Sequence, residues 1–260
     1  MFRLAHARRS LAVAAGAVLW LSTFGHAGAR AQDPLPSGAD IIARHVAAMG
    51  GEAAWKAVKS MHATGTFTLT AQGLSGAFDL QASRPARLRM RITIEGIGRI
   101  ETGYDGKIGW TLDPVAGPSV LKDRELTELA DDAYFDGGLY GPDHIRDFTP
   151  VGREQFARKA AYKVKVVLRS GTEQFDFFDV GTGLLLGFEG TRATPMGNVP
   201  TTEVLDEYKD FRGVRMPTVL TQRALGFEAS IRLASIEFDT VPADAFELPP
   251  AIKALIKSRQ

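Results

Sequence analysis

The sequence predicts a mainly β protein, in which about ten strands form an antiparallel sheet and a helical insertion forms a lid. Three observations predict it. Short segments with alternating apolar and polar residues recur along most of the chain. Glycine-containing turns separate these segments, and two other regions have apolar residues at helical spacing. This pattern alone leaves a sandwich, a closed barrel and a partial barrel as alternatives.

The composition is that of a globular protein and excludes several kinds of function. The chain has 260 residues, of which 45% are apolar and 23% are charged. It has no cysteine, which excludes a disulfide scaffold, a cysteine nucleophile and thiolate metal sites. Lysine and arginine number 31 against 30 acidic residues, but arginines without acidic neighbours crowd the N-terminus. The remaining chain is slightly acidic, and we expect no nucleic-acid partner.

The first 31 residues have the three parts of a secretory signal peptide. Residues 1–9 are basic, residues 10–24 are apolar, and Ala29-Arg30-Ala31 matches the A-x-A cleavage pattern. We predict cleavage after Ala31, a single monomeric domain over residues 32–260, and a periplasmic location. An uncleaved anchor is the alternative, although the apolar run is short for a membrane span of about 20 residues.

The first half of the remaining chain changes from helical to strand periodicity. Apolar spacing predicts a helix over residues 40–49, which Gly50-Gly51 interrupts before a short helix over residues 52–59. The period then becomes two and predicts strands over residues 61–70, 78–83, 87–94 and 108–112. Asp105-Gly106 predicts a tight hairpin turn. Because these strands have one apolar and one polar face, we expect an antiparallel sheet.

Residues 122–148 lack the period-two alternation of the preceding strands, and we predict that they form the lid. An apolar stripe that includes Leu126 and Leu129 predicts a helix. The glycine- and aromatic-rich stretch 134–142 follows and can act as a hinge. Six further strands are predicted over residues 162–169, 174–180, 184–188, 201–211, 216–225 and 227–238. Residues 251–260 look like a short amphipathic tail.

No catalytic or metal-binding pattern emerges. His45, His62 and His144 have neither a nucleophile nor metal-ligand spacing beside them. Five aspartates surround the lid without the spacing of a calcium loop: Asp131, Asp132, Asp136, Asp143 and Asp147. We therefore expect no enzymatic activity, no cofactor and no metal.

The apolar strand faces predict a cavity for acyl chains, because a thin sheet cannot bury so many of them without a cover. Each methylene removed from water contributes about 0.8 kcal/mol. The predicted lining consists of nine residues: Phe67, Phe78, Leu80, Leu88, Met90, Ile92, Trp110, Leu186 and Phe188. A core filled by side chains is the alternative. Arg87, Arg89 and Arg91 lie on the opposite strand face, as a polar outer surface or as a basic stripe for lipid head groups or an acidic partner.

Three motifs occur in an order that resembles the periplasmic lipoprotein-sorting family of LolA and LolB. They are Arg84-Pro85 at a strand end, Tyr104-Asp105-Gly106-Lys107 followed by Trp110 and Asp113-Pro114, and Phe246-Glu247-Leu248-Pro249-Pro250. The resemblance implies an incomplete antiparallel β-barrel whose concave face is covered by helices. It also implies that the cavity binds acyl chains of lipoproteins, with an inner-membrane exporter and an outer-membrane acceptor as partners.

The resemblance gives Arg84 a role as a gate. In LolA, the arginine of this motif holds the lid helices over the empty cavity, whereas its alternative role here is to anchor a strand end. The chain differs from the family in its strand-rich length after residue 150 and in its glycine-rich lid. Three interpretations follow: a carrier of lipoproteins or of another lipid, a sensor or interaction module similar to RseB, and an enzyme, which lacks a visible site.

Overall fold

The computed structural model describes residues 34–194 and 197–258, and within them the chain forms one antiparallel sheet of thirteen strands with four α-helices. The sheet does not close, because its first and last strands in spatial order are not paired with each other. The prediction of a mainly β fold with an incomplete antiparallel barrel is confirmed. The predicted signal peptide and its cleavage site lie outside the described residues.

Two short helices, α1 (Gly38–Ala48) and α2 (Glu52–Ala57), open the described chain. Ser37 caps α1, since its hydroxyl accepts a hydrogen bond from the Asp40 amide at 3.2 Å. Gly50 and Gly51 separate the two helices with φ angles of 106° and 91°, a region that favours glycine. The predicted interruption of the helix at these glycines is confirmed.

Six strands form the first half of the sheet. They are β1 (Ser60–Leu69), β2 (Leu74–Ser83), β3 (Arg87–Ile94), β4 (Gly98–Tyr104), β5 (Gly109–Asp113) and β6 (Gly117–Val120), and each pairs with the next. The predicted turn at Asp105 joins β4 to β5. Its carboxylate accepts hydrogen bonds from the amides of Lys107 and Ile108 at 2.8 and 2.7 Å.

Helix α3 (Asp123–Ala133) leads to the second half of the sheet. The strands there are β7 (Ile145–Phe156), β8 (Lys159–Leu168), β9 (Glu173–Asp179), β10 (Leu185–Thr194), β11 (Gly197–Phe211), β12 (Val214–Ala224) and β13 (Phe227–Phe238). Strand β13 pairs with β1 and thereby joins the two halves, while β6 and β7 form the two edges. Helix α4 (Pro250–Lys257) follows near the C-terminus.

The described sheet has three strands more than the expected number of about ten. The additional strands are β4, β6 and β7, and the last two are the edges of the sheet. Both edge strands contain a proline, Pro118 and Pro150, which cannot donate a backbone hydrogen bond and is tolerated at an edge. Edge strands also bury less surface, so their apolar–polar alternation is weak and sequence periodicity misses them.

The two faces of the sheet are covered by different segments. We call the face that bears Phe78 and Met90 the concave face, because it surrounds the largest apolar cavity described below, and the opposite face convex. Helix α1 packs through Ile41 against Val164 and Phe178 in a buried cluster on the concave side.

None of the helices in the described part of the chain has the length and hydropathy of a membrane span.

The basic stripe of β3 lies on the convex face and is engaged within the protein. Arg89 Nε donates to Glu101 at 2.6 Å, and its Nη1 donates to the carbonyl oxygen of Ala245 at 2.9 Å. The Arg91 guanidinium donates to Asp79 at 2.8 Å, and that of Arg87 lies 5.1 Å from the ring centre of Phe246. These contacts favour a polar outer face over a free basic stripe.

We expect Gly103→Ala to destabilise the fold by about 1–3 kcal/mol, as overpacking of a filled site does. A Cβ at Gly103 would lie 2.4 Å from a ring atom of Trp110, which is only 1% exposed. Urea unfolding measures the loss. The control Gly152→Ala adds a methyl with no atom within 4 Å and should change stability by less than about 0.5 kcal/mol. Equal stability of the two variants would contradict the described contact between β4 and β5.

Candidate ligand-binding cavity

The concave face and helix α3 enclose a cavity of about 530 Å³. This volume lies within the range of about 300–1,000 Å³ that is usual for small-molecule sites. Strands β1, β2, β3, β12 and β13 contribute most of the wall, and Leu129 of α3 contributes to its cover. The apolar lining residues are Phe67, Phe78, Leu80, Leu88, Met90, Ile92, Leu129, Phe188, Leu220, Ala229 and Ile231.

Seven of the nine predicted lining residues face this cavity: Phe67, Phe78, Leu80, Leu88, Met90, Ile92 and Phe188. Strand register brings them together, since Phe78 pairs with Ile92 and Leu80 with Met90 across β2 and β3. Paired residues in an antiparallel sheet point to the same face. Their contact with a ligand stays a prediction.

Trp110 is not among the cavity-lining residues. The register pairs it with Gly103, which pairs with Arg89, so Trp110 belongs to the convex face. On the concave face, the adjacent pair on β3 and β4 is Met90 and Thr102, and both of these residues line the cavity. Sequence alternation places Trp110 on an apolar strand face but cannot tell which side of the sheet that face occupies.

Leu186 also lies outside the cavity. It packs against Phe156, Ala161 and Phe177 in a separate buried cluster. A β-bulge between Leu185 and Gly187 disturbs the strict alternation of β10. Leu186 and Phe188 therefore point to opposite faces, although their spacing of two predicts the same one.

Three charged side chains interrupt the apolar wall, and sequence analysis did not associate them. Arg192 on β10 forms a two-pronged ion pair with Asp132 on α3, with N–O distances of 3.0 and 3.2 Å. Glu203 on β11 lines the same cavity. Arg192 lies four residues after Phe188 on the same face of β10, and this even spacing could have indicated from the sequence that it lines the cavity. Asp132 was considered in the sequence only as one of the lid aspartates.

Glu203 has no hydrogen-bond or ion-pair partner among the described residues. It is half-buried in the cavity wall, and this burial raises the pKa of its carboxyl to about 7. The positive charge of Arg192 opposes the rise, and the negative charge of Asp132 adds to it. The ionised form of Glu203 is therefore costly.

A smaller cavity of about 190 Å³ shares Asp132, Phe188 and Arg192 with the main cavity. Its wall is more polar. The buried carboxylate of Asp176 accepts hydrogen bonds from the Tyr140 hydroxyl and the Gln174 amide, both at 2.6 Å. Burial raises the pKa of Asp176 to about 6. The Asp132–Arg192 pair thus lies where an apolar cavity and a polar one meet.

Arg84 connects the end of β2 to helix α2 and to the lid. Its Nε donates to the Val58 carbonyl at 2.7 Å, and its Nη2 donates to that of Trp55 at 3.1 Å. Its Nη1 forms an ion pair with Asp136, which also accepts from the Trp55 indole at 3.0 Å. The guanidinium lies 4.9 Å from the ring centre of Phe135. The geometry is compatible with either predicted role, a gate or a strand anchor.

Helix α3 is held on β10 by polar contacts along one side. The Glu128 carboxylate accepts from the Ala193 amide at 2.8 Å, and Arg124 donates to the Thr191 hydroxyl at 2.8 Å. Together with Asp132, these residues recur every four positions, so they share one helix face. On another side, Leu129 approaches Gly109 of β5, where a Cβ would lie 3.1 Å away. The helix therefore spans the cavity between the two halves of the sheet.

Comparison with known proteins supports the fold. No model of a protein family matches the sequence, and no curated protein matches it either. Solved structures do match, and three of them have TM-scores of 0.54, 0.52 and 0.52 with 13%, 11% and 12% identity. Identity this low shows similarity of fold alone.

The first of these structures is a DUF1329 family protein from Desulfovibrio piger, where the match covers 81% of this chain and 95% of the other. The second is a domain from Vibrio parahaemolyticus provisionally assigned as an outer membrane lipoprotein-sorting protein, with coverages of 84% and 96%. The third is a LolA superfamily protein from Nitrosomonas europaea, with coverages of 82% and 99%. The chain thus has a LolA-like fold, as the sequence motifs predict.

We expect Glu203→Gln to stabilise the protein at pH 8 by about 1–3 kcal/mol. The folded-state pKa of about 7 lies above the usual 4.5, so ionisation of Glu203 opposes folding as the pH rises through this interval. Glutamine has the same shape and cannot ionise. Urea unfolding at pH 4.5 and pH 8 measures the effect, and Glu189→Gln on the convex face of β10 is the control. A gain of equal size at both pH values would contradict the explanation.

Proposed function

We propose that the protein is a periplasmic carrier that binds acyl chains of lipoproteins or other lipids and transfers them toward the outer membrane. The observation that supports this most is the apolar cavity of about 530 Å³. Side chains such as Met90 and Ile92 keep part of their surface accessible there, which a fully filled core would bury. The protein acts in this proposal by binding and release, without catalysis.

Burial of an acyl chain supplies enough free energy for such a carrier. Each methylene moved from water to an apolar site contributes about 0.8 kcal/mol, so ten methylenes contribute about 8 kcal/mol before the costs of ordering the ligand. A useful carrier must also release its cargo. Part of the cost of an empty apolar cavity must therefore be offset by contacts that form only when the lid is closed.

The contacts of Arg84 supply such an offset in our proposal. They join three segments that would separate if the lid opened: β2, α2 and the stretch around Phe135 and Asp136. Gly137 and Gly138 follow directly and permit the movement of a hinge. Arg84 is thus proposed as the gate of the cavity.

The proposed location and partners come from the N-terminal sequence and from the family resemblance. A signal peptide cleaved after Ala31 would deliver the protein to the periplasm. A carrier there needs a donor, such as an inner-membrane exporter, and an outer-membrane acceptor. The competing interpretation, a sensor or interaction module on the same fold, would not need lipid in the cavity or a transfer step.

We expect the protein, purified from the periplasm, to contain extractable lipid and, once stripped of it, to bind the neutral dye N-phenyl-1-naphthylamine. Met90→Asp should weaken dye binding at least tenfold, because it buries a charge in the apolar wall. Val151→Asp, at a position 48% exposed, is the matched control and should bind normally. Normal binding by a folded Met90→Asp variant, or no dye binding by the parent, would exclude this cavity as the site.

We expect Arg84→Leu to bind the dye up to about tenfold more tightly and to transfer it to vesicles more slowly. Hydrogen bonds to a charged group contribute about 1.5–3 kcal/mol, and their loss should favour the open lid. Titration, stopped-flow transfer and thermal unfolding on one variant make the test. Arg99→Leu, an exposed site on β4, is the control. A lower Tm with unchanged affinity and transfer rate would instead assign Arg84 to a strand anchor.

A further inference from the structure

The main cavity contains a polar site that an acyl carrier does not need for the chain itself. The Asp132–Arg192 pair is open to the cavity, since 46% of the Asp132 side chain and 25% of the Arg192 side chain remain exposed. Partial burial nevertheless raises the pKa of the Asp132 carboxyl, and the charge of Arg192 opposes the rise. Charged groups in such a place are costly unless something balances them.

The balance of charge in this site is negative. Arg192 is already used by Asp132, whereas the carboxyl of Glu203 has no partner among the described residues. The three side chains are the charged groups of the described cavity wall, and together they have a net charge of −1 when Glu203 is ionised. Asp131 and Asp176 on the smaller cavity add further carboxylates. Arg192, the only cation of the described cavity wall, is therefore not free to bind an anionic head group.

We propose that this site binds the head group of a cationic amphiphile, whose apolar chain lies along β1, β2 and β3 and whose ammonium group donates to Glu203. Asp132 adds attraction to the same charge. The inference rests on the proposed function and specifies its ligand class. It follows from an apolar wall on β1, β2 and β3 and an unpartnered carboxyl group on β11 that line the same cavity.

The titration of Glu203 provides a second signature. A bound cation favours the ionised carboxylate, so affinity for the cation should increase as the pH rises from 6 to 8, through the pKa of about 7. The other titratable groups that line the two cavities are Asp131, Asp132, Tyr140, His144, Asp176 and Arg192. Asp176, with a pKa of about 6, ionises partly in the same interval, and therefore the Glu203→Gln variant is needed to isolate the contribution of Glu203.

Displacement of N-phenyl-1-naphthylamine tests the proposal with three ligands of equal chain length: dodecylammonium, dodecanol and dodecanoate. We expect dodecylammonium to bind about tenfold more tightly than dodecanol, as one charge-assisted hydrogen bond allows, and dodecanoate to bind most weakly. Glu203→Gln should remove the preference for dodecylammonium and its pH dependence, and the affinity of the dye is measured for each variant so that only ratios between ligands are compared. Glu189→Gln, the same change on the convex face, should keep both.

Each outcome separates this inference from the proposed function. Dye binding with equal affinities for the three ligands, or a preference that survives Glu203→Gln, overturns the head-group site and leaves the carrier intact. Absence of dye binding overturns both. If dodecanol bound most tightly, Glu203 would recognise a neutral hydroxyl group, and the proposal of a cationic ligand would be wrong.

A second variant tests the same site through Arg192. Asp132→Asn removes the ion-pair partner of Arg192 and leaves its guanidinium free to bind an anion. We expect the affinity for dodecanoate to rise about tenfold and that for dodecylammonium to fall. An unchanged order of the three ligands in this variant would overturn the proposed balance of charge. Thermal unfolding checks that α3 stays folded on β10.

Discussion

The pairing of β1 with β13 is the constraint on which the rest of the structure depends. It joins strands that lie at opposite ends of the folded chain and makes one continuous sheet from two halves. The pairing tolerates a register shift between Thr64 and Gly65. A Cβ at Gly65 would lie 2.2 Å from the carbonyl oxygen of Arg232, so this close approach requires glycine. Without this seam, Phe67 and Ile231 would not share a cavity wall.

A curved sheet with open edges creates the apolar cavity and also the need to cover it. Helix α3 spans the opening, and its two sides are attached differently. On one side, Glu128 and Asp132 make polar contacts to β10. On the other side, Leu126 and Leu129 pack against β5 near Gly109. Arg84 contacts a different segment, the stretch that follows α3, through its ion pair with Asp136.

In the proposed head-group site, the carboxyl of Glu203 would give the cavity a direction. A uniformly apolar cavity would accept a chain in either orientation, whereas an unpartnered carboxyl at one side would favour one. The three similar structures carry different family descriptions, and their sequences are only 11–13% identical to this one. A fold shared at such low identity does not by itself define a ligand, which depends on the side chains of the site.

Local periodicity was enough to predict the antiparallel fold, the helix break at Gly50-Gly51 and seven of the apolar residues of the cavity wall, because alternation along one strand decides which residues share a face. It missed β4 and the two edge strands, β6 and β7, and edge strands bury too little surface to show that alternation. The convex position of Trp110 and the reversal at Leu186 were decided by the direction of sheet curvature and by a bulge in β10. The meeting of Asp132, Arg192 and Glu203 was likewise decided only by the tertiary structure. These residues come from a helix and two strands, and no local pattern records which elements fold around the same space.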